Sequence, residues 1–173
     1  ERNSLKGVVE KLFEQSVHIQ SEANNLTRAL KGDQKKQGNW GEVVLERVLE
    51  RSGLRKDEEF KLQVNVKDEE GNRQIPDAVI YLPEGKHLIV DSKVSLKAYH
   101  DWIHEEDEQI KQQFAKDHVL SLMNHIKNLS AKNYAQLYDM VSPDFVLLFM
   151  PIESAFSLAL TQKPEIFSEA WDK

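Results

Sequence analysis

Two aspartates and a lysine carry the strongest chemical signal in this 173-residue chain: Asp77 in Ile75-Pro-Asp77, and Asp91 with Lys93 in Val90-Asp-Ser-Lys93. Strand alternation over residues 86–93 puts His87, Ile89, Asp91 and Lys93 on one face. A buried strand ending with a carboxylate and an ammonium on the same side is costly unless the two are paired or used. Pro83-Glu84-Gly85 suits a three-residue hairpin loop, a type I turn at Pro-Glu followed by Gly in the left-handed position. Closing Leu82 against Lys86 then sets Asp77 opposite Asp91, with Cβ atoms about 5 Å apart. A two- or four-residue loop would turn Asp77 to the other face. Two carboxylates at that spacing repel each other and hold protons unless a cation lies between them. A hard divalent ion, magnesium or manganese rather than zinc, answers this with oxygen ligation. The lysine would orient a water or offset charge on a phosphate. Glu42 and, one turn on, Glu46 offer further acid from the helix before the sheet. The plainer alternative is a strand start at Asp77 and an Asp91–Lys93 ion pair.

The elements that must position these groups follow from periodicity. Asn39 can cap a helix over 40–52 that turns Val43, Val44, Val48 and Leu49 inward, with Gly53 at its C′ position. Alternating apolar residues predict a half-buried strand over 60–66, then strands over 75–82 and 86–93. A helix over 95–105 follows, and Asp107 opens a longer one reaching residue 129, with Ile110, Phe114, Val119, Leu122, Met123 and Ile126 inward. A short helix near 134–140 precedes Pro143. The continuously apolar stretch 145–150 predicts a fully buried strand. Helices over 153–162 and 164–172 complete the pattern, Pro164 standing in the first turn of the last. Ahead of all this, Leu5, Val9, Leu12, Ser16, Ile19, Ala23, Leu26 and Leu30 step by four and three, with only Ser16 polar. That 3.5-residue period fits the end of a coiled coil over 1–32, and with it a homo-oligomer.

Composition narrows the classes. The chain has 23 Lys and Arg against 29 Asp and Glu, a formal charge of −6, which excludes a polybasic DNA coat but not a local groove. It has no Cys, hence no disulfide frame, thiolate nucleophile or Cys-based zinc site. No apolar run nears the ~20 residues that span a bilayer. The chain opens at Glu1 without Met, so a longer protein is expected around it.

Ile75-Pro-Asp77 and Val90-Asp-Ser-Lys93, thirteen residues apart, resemble the PD-(D/E)xK nuclease signature, and the predicted order αβββαβ resembles that superfamily's core. More specifically, the chain from about residue 20 resembles the bacterial RmuC family of DNA recombination proteins. The stretches that carry this are Leu26-Thr-Arg-Ala-Leu-Lys-Gly32, Gln37-Gly-Asn-Trp-Gly-Glu-Val-Val-Leu-Glu46, Pro76-Asp77, Asp91-Ser-Lys-Val-Ser95, Ser142-Pro-Asp-Phe-Val146 and Phe149-Met-Pro-Ile-Glu153. The Gly-Asn-Trp-Gly-Glu and Asp-Ser-Lys-Val-Ser blocks are far more specific than the nuclease signature. The resemblance implies an α/β, restriction-endonuclease-like domain with a mixed sheet over 33–173, cut at both ends relative to the full protein. It implies a cytoplasmic place, tethered to the inner membrane in proteins that keep an N-terminal anchor. Asp77 and Asp91 would hold Mg2+ or Mn2+ with help from the Ser92 carbonyl, Lys93 would be the catalytic lysine, and Glu42 the helix-borne acid. The implied activity is hydrolysis of DNA phosphodiesters as an endo- or exonuclease. The alternative is a DNA-binding or coiled-coil scaffold module that keeps the fold without the catalysis. One departure stands out: related exonucleases often carry Gln-xxx-Tyr after the lysine, and here Ser95-Leu-Lys-Ala-Tyr99 keeps the Tyr without the Gln.

For DNA contact, Arg28, Lys31, Lys35 and Lys36 form a basic patch, continued by Arg47, Arg51, Arg55 and Lys56, with Arg73 and Lys97 nearer the acids. Residues 1–56 hold eleven basic and eight acidic residues, 57–110 six and fourteen, and 111–173 six and seven, so the basic surplus lies in the first third. Tyr99 offers a ring for a splayed base, whereas Trp40 reads better as packing. His100 and His104, at i and i+4, read as a solvated helix face. His118 and His125 read as hydrogen-bonding groups on the long helix. His87 lies about 13 Å from Asp91 along the strand and is left aside.

Overall fold

The computed structural model describes residues 34–67, 73–92, 96–132 and 145–172. The coiled-coil segment, Lys93, and the helix expected near 134–140 lie outside these residues. Straight-chain Gln34, Lys35, Lys36 and Gln37 favour helix, and α1 runs Gln34–Arg51. Asn39 therefore sits inside the helix and does not cap it. Gly53 follows the end with φ +91°, and its N–H donates to the Glu50 carbonyl. The buried stripe is Gly41, Val44, Leu45 and Leu49. Val43 lies a full 100° per residue off that stripe and is 47% exposed, correcting its inward assignment.

The strand expected over 60–66 breaks. Strand β1 (Phe60–Leu62) ends at Gln63, which takes φ +49°, and Val66–Lys67 (β2) pairs instead with Arg73–Gln74 (β3) as a separate ribbon. Strands β4 (Ala78–Tyr81) and β5 (His87–Ser92) form the hairpin. Its pairs are Ala78↔Val90, Val79↔Ile89, Ile80↔Leu88 and Tyr81↔His87, the register that the three-residue loop requires. The Leu82 N–H donates to the Lys86 carbonyl at 2.8 Å and closes the loop. Glu84 (φ +63°) is left-handed as well as Gly85 (φ +72°), so the expected type I geometry at Pro-Glu gives way. Two positive φ values match the right-handed strand twist that a plain type I pair would splay.

Helices α2 (Lys97–His104) and α3 (Glu108–Ala131) cross over to β6 (Leu147–Phe149). Asp107 caps α3, accepting from the Gln109 and Ile110 N–H groups at 2.8 and 3.1 Å. The inward residues of α3 include Leu122 and Ile126 as read, joined by Ala115, His118 and Leu129. Ile110, in the first turn, is 46% exposed. Strand β6 pairs in parallel with β5, and the sheet order is β1-β4-β5-β6 with the other pairs antiparallel. Because β6 is the last strand of the sheet among the described residues, Leu147 is 43% exposed and the fully buried strand does not hold. Helices α4 (Glu153–Gln162) and α5 (Ile166–Trp171) follow, with Pro164 in the turn before α5.

The sheet is thus covered on both faces. Leu45 and Leu49 of α1 pack on Phe60, Ala78, Ile80 and Val90, while Leu129 of α3 packs on Ile89. Each fully buried Phe60, Leu45 or Ile89 contributes about 1.5–3 kcal/mol. Along β5, alternate residues therefore face α1 and α3, and Asp91 faces α3 with Ile89. The architecture is mixed α/β, in the order helix, strands, helices, strand. Among the described residues no helix is long and apolar enough to cross a membrane.

Candidate active site

The strand expected over 75–82 begins only at Ala78, so Asp77 lies in the bend before β4; extending the β4–β5 register by one residue sets it opposite Asp91. Each carboxylate is engaged at both oxygens. Asp77 Oδ2 accepts the Ser92 N–H at 2.6 Å, and Oδ1 accepts the Gln63 Nε2–H at 3.2 Å. The Gln63 N–H also donates to the Asp77 carbonyl at 3.1 Å, so the left-handed kink that ends β1 wraps the start of β4. Asp91, only 5% exposed, accepts from His125 Nε2 at 2.9 Å on Oδ2, and Lys132 Nζ lies 3.4 Å from Oδ1. Both partners come from α3 and its C-terminal cap residue.

These surroundings split the pair. Burial pushes the Asp77 carboxyl up, and the Asp91 charge adds to that against the Ser92 and Gln63 bonds. Burial also pushes Asp91 up, but the His125 hydrogen bond and the Lys132 charge outweigh it and hold Asp91 below the ordinary carboxylate range. Glu42 on α1 is raised by burial and then by the Asp77 charge, so a third acid belongs to the same neighbourhood. Glu46 is spent elsewhere, in a surface ion pair with Lys56.

Among the described residues no group of three or more His, Cys, Asp or Glu is close enough to hold a metal ion. Magnesium commonly takes one or two carboxylates and fills its shell with water and phosphate oxygens. Two carboxylates, one held ionised by His125 and Lys132 and the other raised by burial and by its neighbour's charge, are oxygen donors of the kind a hard divalent ion takes.

The remaining residues sort as follows. Ser92 engages Asp77 through its amide. Arg28, Lys31 and Lys93 lie outside the described residues; Lys35 and Lys36 stand in the first turns of α1 and Arg73 in β3. Lys97 is exposed and sits 3.4 Å from Asp101. Tyr99 is corrected: it is 3% exposed, stacked on Trp102, with its hydroxyl hydrogen-bonded to Ser154 Oγ. An aromatic ring on an amphipathic helix favours the core, and here no base can stack on it. Trp40 packs in the same cluster, as read. Of the extended basic patch, Arg55 is paired with Glu58 and Glu59 and Lys56 with Glu46, leaving Arg47 and Arg51 exposed on α1. His100 is buried, not solvated, its ring stacked on His104 at 4.2 Å. His118 bonds the Ala155 carbonyl at 2.8 Å, the hydrogen-bonding role expected of it.

His125, Lys132 and Gln63 are the site residues that sequence reading missed. The spacing of His118 and His125 marked a hydrogen-bonding face, yet nothing local pointed to Asp91 as the partner.

The RmuC family profile matches residues 1–173. The chain is 53% identical over 171 residues to the DNA recombination protein RmuC homolog of Pseudomonas aeruginosa, covering 99% of this chain and 38% of that protein. It is 44% identical over 170 residues to the DNA recombination protein RmuC of Escherichia coli strain K12, covering 98% and 36%. The Vibrio cholerae homolog is 42% identical over 173 residues, covering 100% and 34%. The chain thus spans little more than a third of the curated relatives it matches. No solved structure matches it. With a full-length profile match and relatives at 42–53% identity, the chain belongs to the RmuC family.

Proposed function

We propose that the chain is the DNA-acting domain of a DNA recombination protein, and that it hydrolyses DNA phosphodiesters with Mg2+ or Mn2+ at Asp77 and Asp91. The relatives' names support the DNA recombination role. The observation that carries the hydrolytic reading is the β4–β5 register, which, extended by one residue, brings Asp77 opposite Asp91. The order of helix, strands, helices and strand fits a PD-(D/E)xK core. In this reading Asp91, held ionised, and Asp77 bind the ion, Glu42 adds acid from α1, and Lys93 orients water or meets the phosphate. A divalent ion bound there would supply Lewis-acid stabilisation of the charge that builds on the phosphate. Arg28, Lys31, Lys35, Lys36, Arg73 and Lys97 would contact the backbone, and the 1–32 seam would join copies of the chain.

The test is cleavage of single- and double-stranded DNA by the purified chain with Mn2+. Asp77→Asn and Lys93→Ala are each expected to cut the rate by about 10²-fold or more. No cleavage by the wild type, together with full function of both variants in cells, would overturn the hydrolytic reading. A second reading, a DNA-binding scaffold that keeps the fold without catalysis, is favoured by the engagement of Asp91 by His125 and Lys132. Salt-sensitive DNA binding without cleavage would select it.

A further inference from the structure

Helix α3 brings two basic groups to one carboxylate, and the two contacts are unequal. His125 Nε2 is 2.9 Å from Asp91 Oδ2, a well-formed hydrogen bond from a side chain only 25% exposed. Lys132 Nζ is 3.4 Å from Oδ1, at the outer limit of such a bond, on a flexible stem 42% exposed. One oxygen of Asp91 is therefore fixed by a directional donor, whereas the other faces an ammonium at the longer distance. The Lys132 charge also acts on Asp77, as the least of the influences on that group, while its contact is with Asp91. Offsetting carboxylate charge is the electrostatic task a divalent ion would perform. Hydrogen-bond partners of metal-ligating groups fix their orientation, and loss of such a partner typically costs about 10–100-fold in affinity.

We propose that His125 is a positioning residue that aims Asp91 Oδ1 at an incoming divalent ion, and that Lys132 is the tethered counter-ion which that ion displaces. The inference rests on the metal-dependent reading above and adds to it how the ion's place is kept. The two residues should then act on metal affinity with opposite signs, although both touch the same carboxylate.

The experiment is a Mn2+ titration of the whole chain at pH 8, with free Mn2+ read by electron paramagnetic resonance and folding by circular dichroism melts. His125→Ala should weaken Mn2+ binding about tenfold or more, and His125→Gln, whose amide N–H can reach the same oxygen, should recover most of it. Lys132→Gln should tighten binding by about threefold, since a competing charge is removed. Should His125→Ala fail to fold, His125→Leu, which keeps side-chain bulk without an N–H donor, carries the same contrast. Variants that all weaken binding in step with their melting temperatures would overturn the proposal, because a merely structural role moves them together. Unchanged affinity in the variants with saturable binding by the wild type would overturn the proposal alone. No saturable Mn2+ binding by the wild type would overturn the metal-dependent reading and the proposal with it.

Discussion

Asp91 is held by a histidine and a lysine from α3 and its cap residue, whereas Asp77, facing it across the hairpin, is hydrogen-bonded by neutral donors from its own sheet. Burial works on both in the same direction, yet the outcomes diverge. On Asp91 the His125 bond and the Lys132 charge win, and the group stays ionised. On Asp77 two neutral N–H donors and the weaker pull of the Lys132 charge do not offset burial plus the neighbouring charge. Neutral hydrogen bonds also favour a carboxylate's charged form, but at Asp77 they fall short of burial and the like charge beside it. One acid of the pair therefore stabilises the fold at neutral pH and the other strains it.

Removing each acid in turn is the sharpest way to break that contrast. Asp91→Ala should lower stability the most, by about 2 kcal/mol, because it leaves His125 and Lys132 facing each other without their anion. The full buried-pair penalty is not reached because both partners are partly exposed. Urea denaturation at pH 7 reads the change directly, and an unchanged midpoint would mean that α3 does not depend on this contact. Asp77→Asn should move the melting temperature the other way, up by about 1–3 °C, while abolishing Mn2+ binding. The amide oxygen still accepts the Ser92 N–H, and the repulsion from Asp91 is gone. A drop in melting temperature would show that Asp77 is a structural anchor rather than a strained ligand.

The smallest effect is the most diagnostic of cause. Asp91 has a depressed pKa, so its stabilisation is present above the ordinary carboxylate value and is lost as pH falls through its lowered one. Asp77 and Glu42 have raised pKa values, so theirs is present at acid pH and lost as pH rises through the raised values. The gain from Asp77→Asn should therefore be seen at pH 7 and vanish near pH 3, where the aspartic acid is itself neutral. A gain of equal size at both pH values would assign it to packing.

Half of this contrast was legible in the sequence. Loop length alone set the Asp77–Asp91 register, because a hairpin closed by three residues leaves no freedom of parity. Asp107 as a cap and Gly53 past a helix end were equally local, and both stand where read. What lay beyond reach was long-range or had no local marker. His125 is 34 residues from Asp91 and Lys132 is 41, and helix periodicity gives the face a residue occupies without naming what that face meets. The break at Gln63 was hidden because glutamine carries no preference for positive φ. Leu147 looked buried because a continuous apolar run does not say whether its strand is central or at the edge.

The hairpin has a further consequence, for the order in which the chain folds. Ser92 reaches Asp77 across only 15 residues, and a hairpin with so short a loop closes in about 1–10 μs. His125 and Lys132 arrive only after α3 has formed and docked, with the greater loop entropy of 34 and 41 residues. The loop that joins the two acids is thus much shorter than those that bring His125 and Lys132 to Asp91, which favours closing the hairpin first. The pair bears on the folding rate before it bears on any ligand.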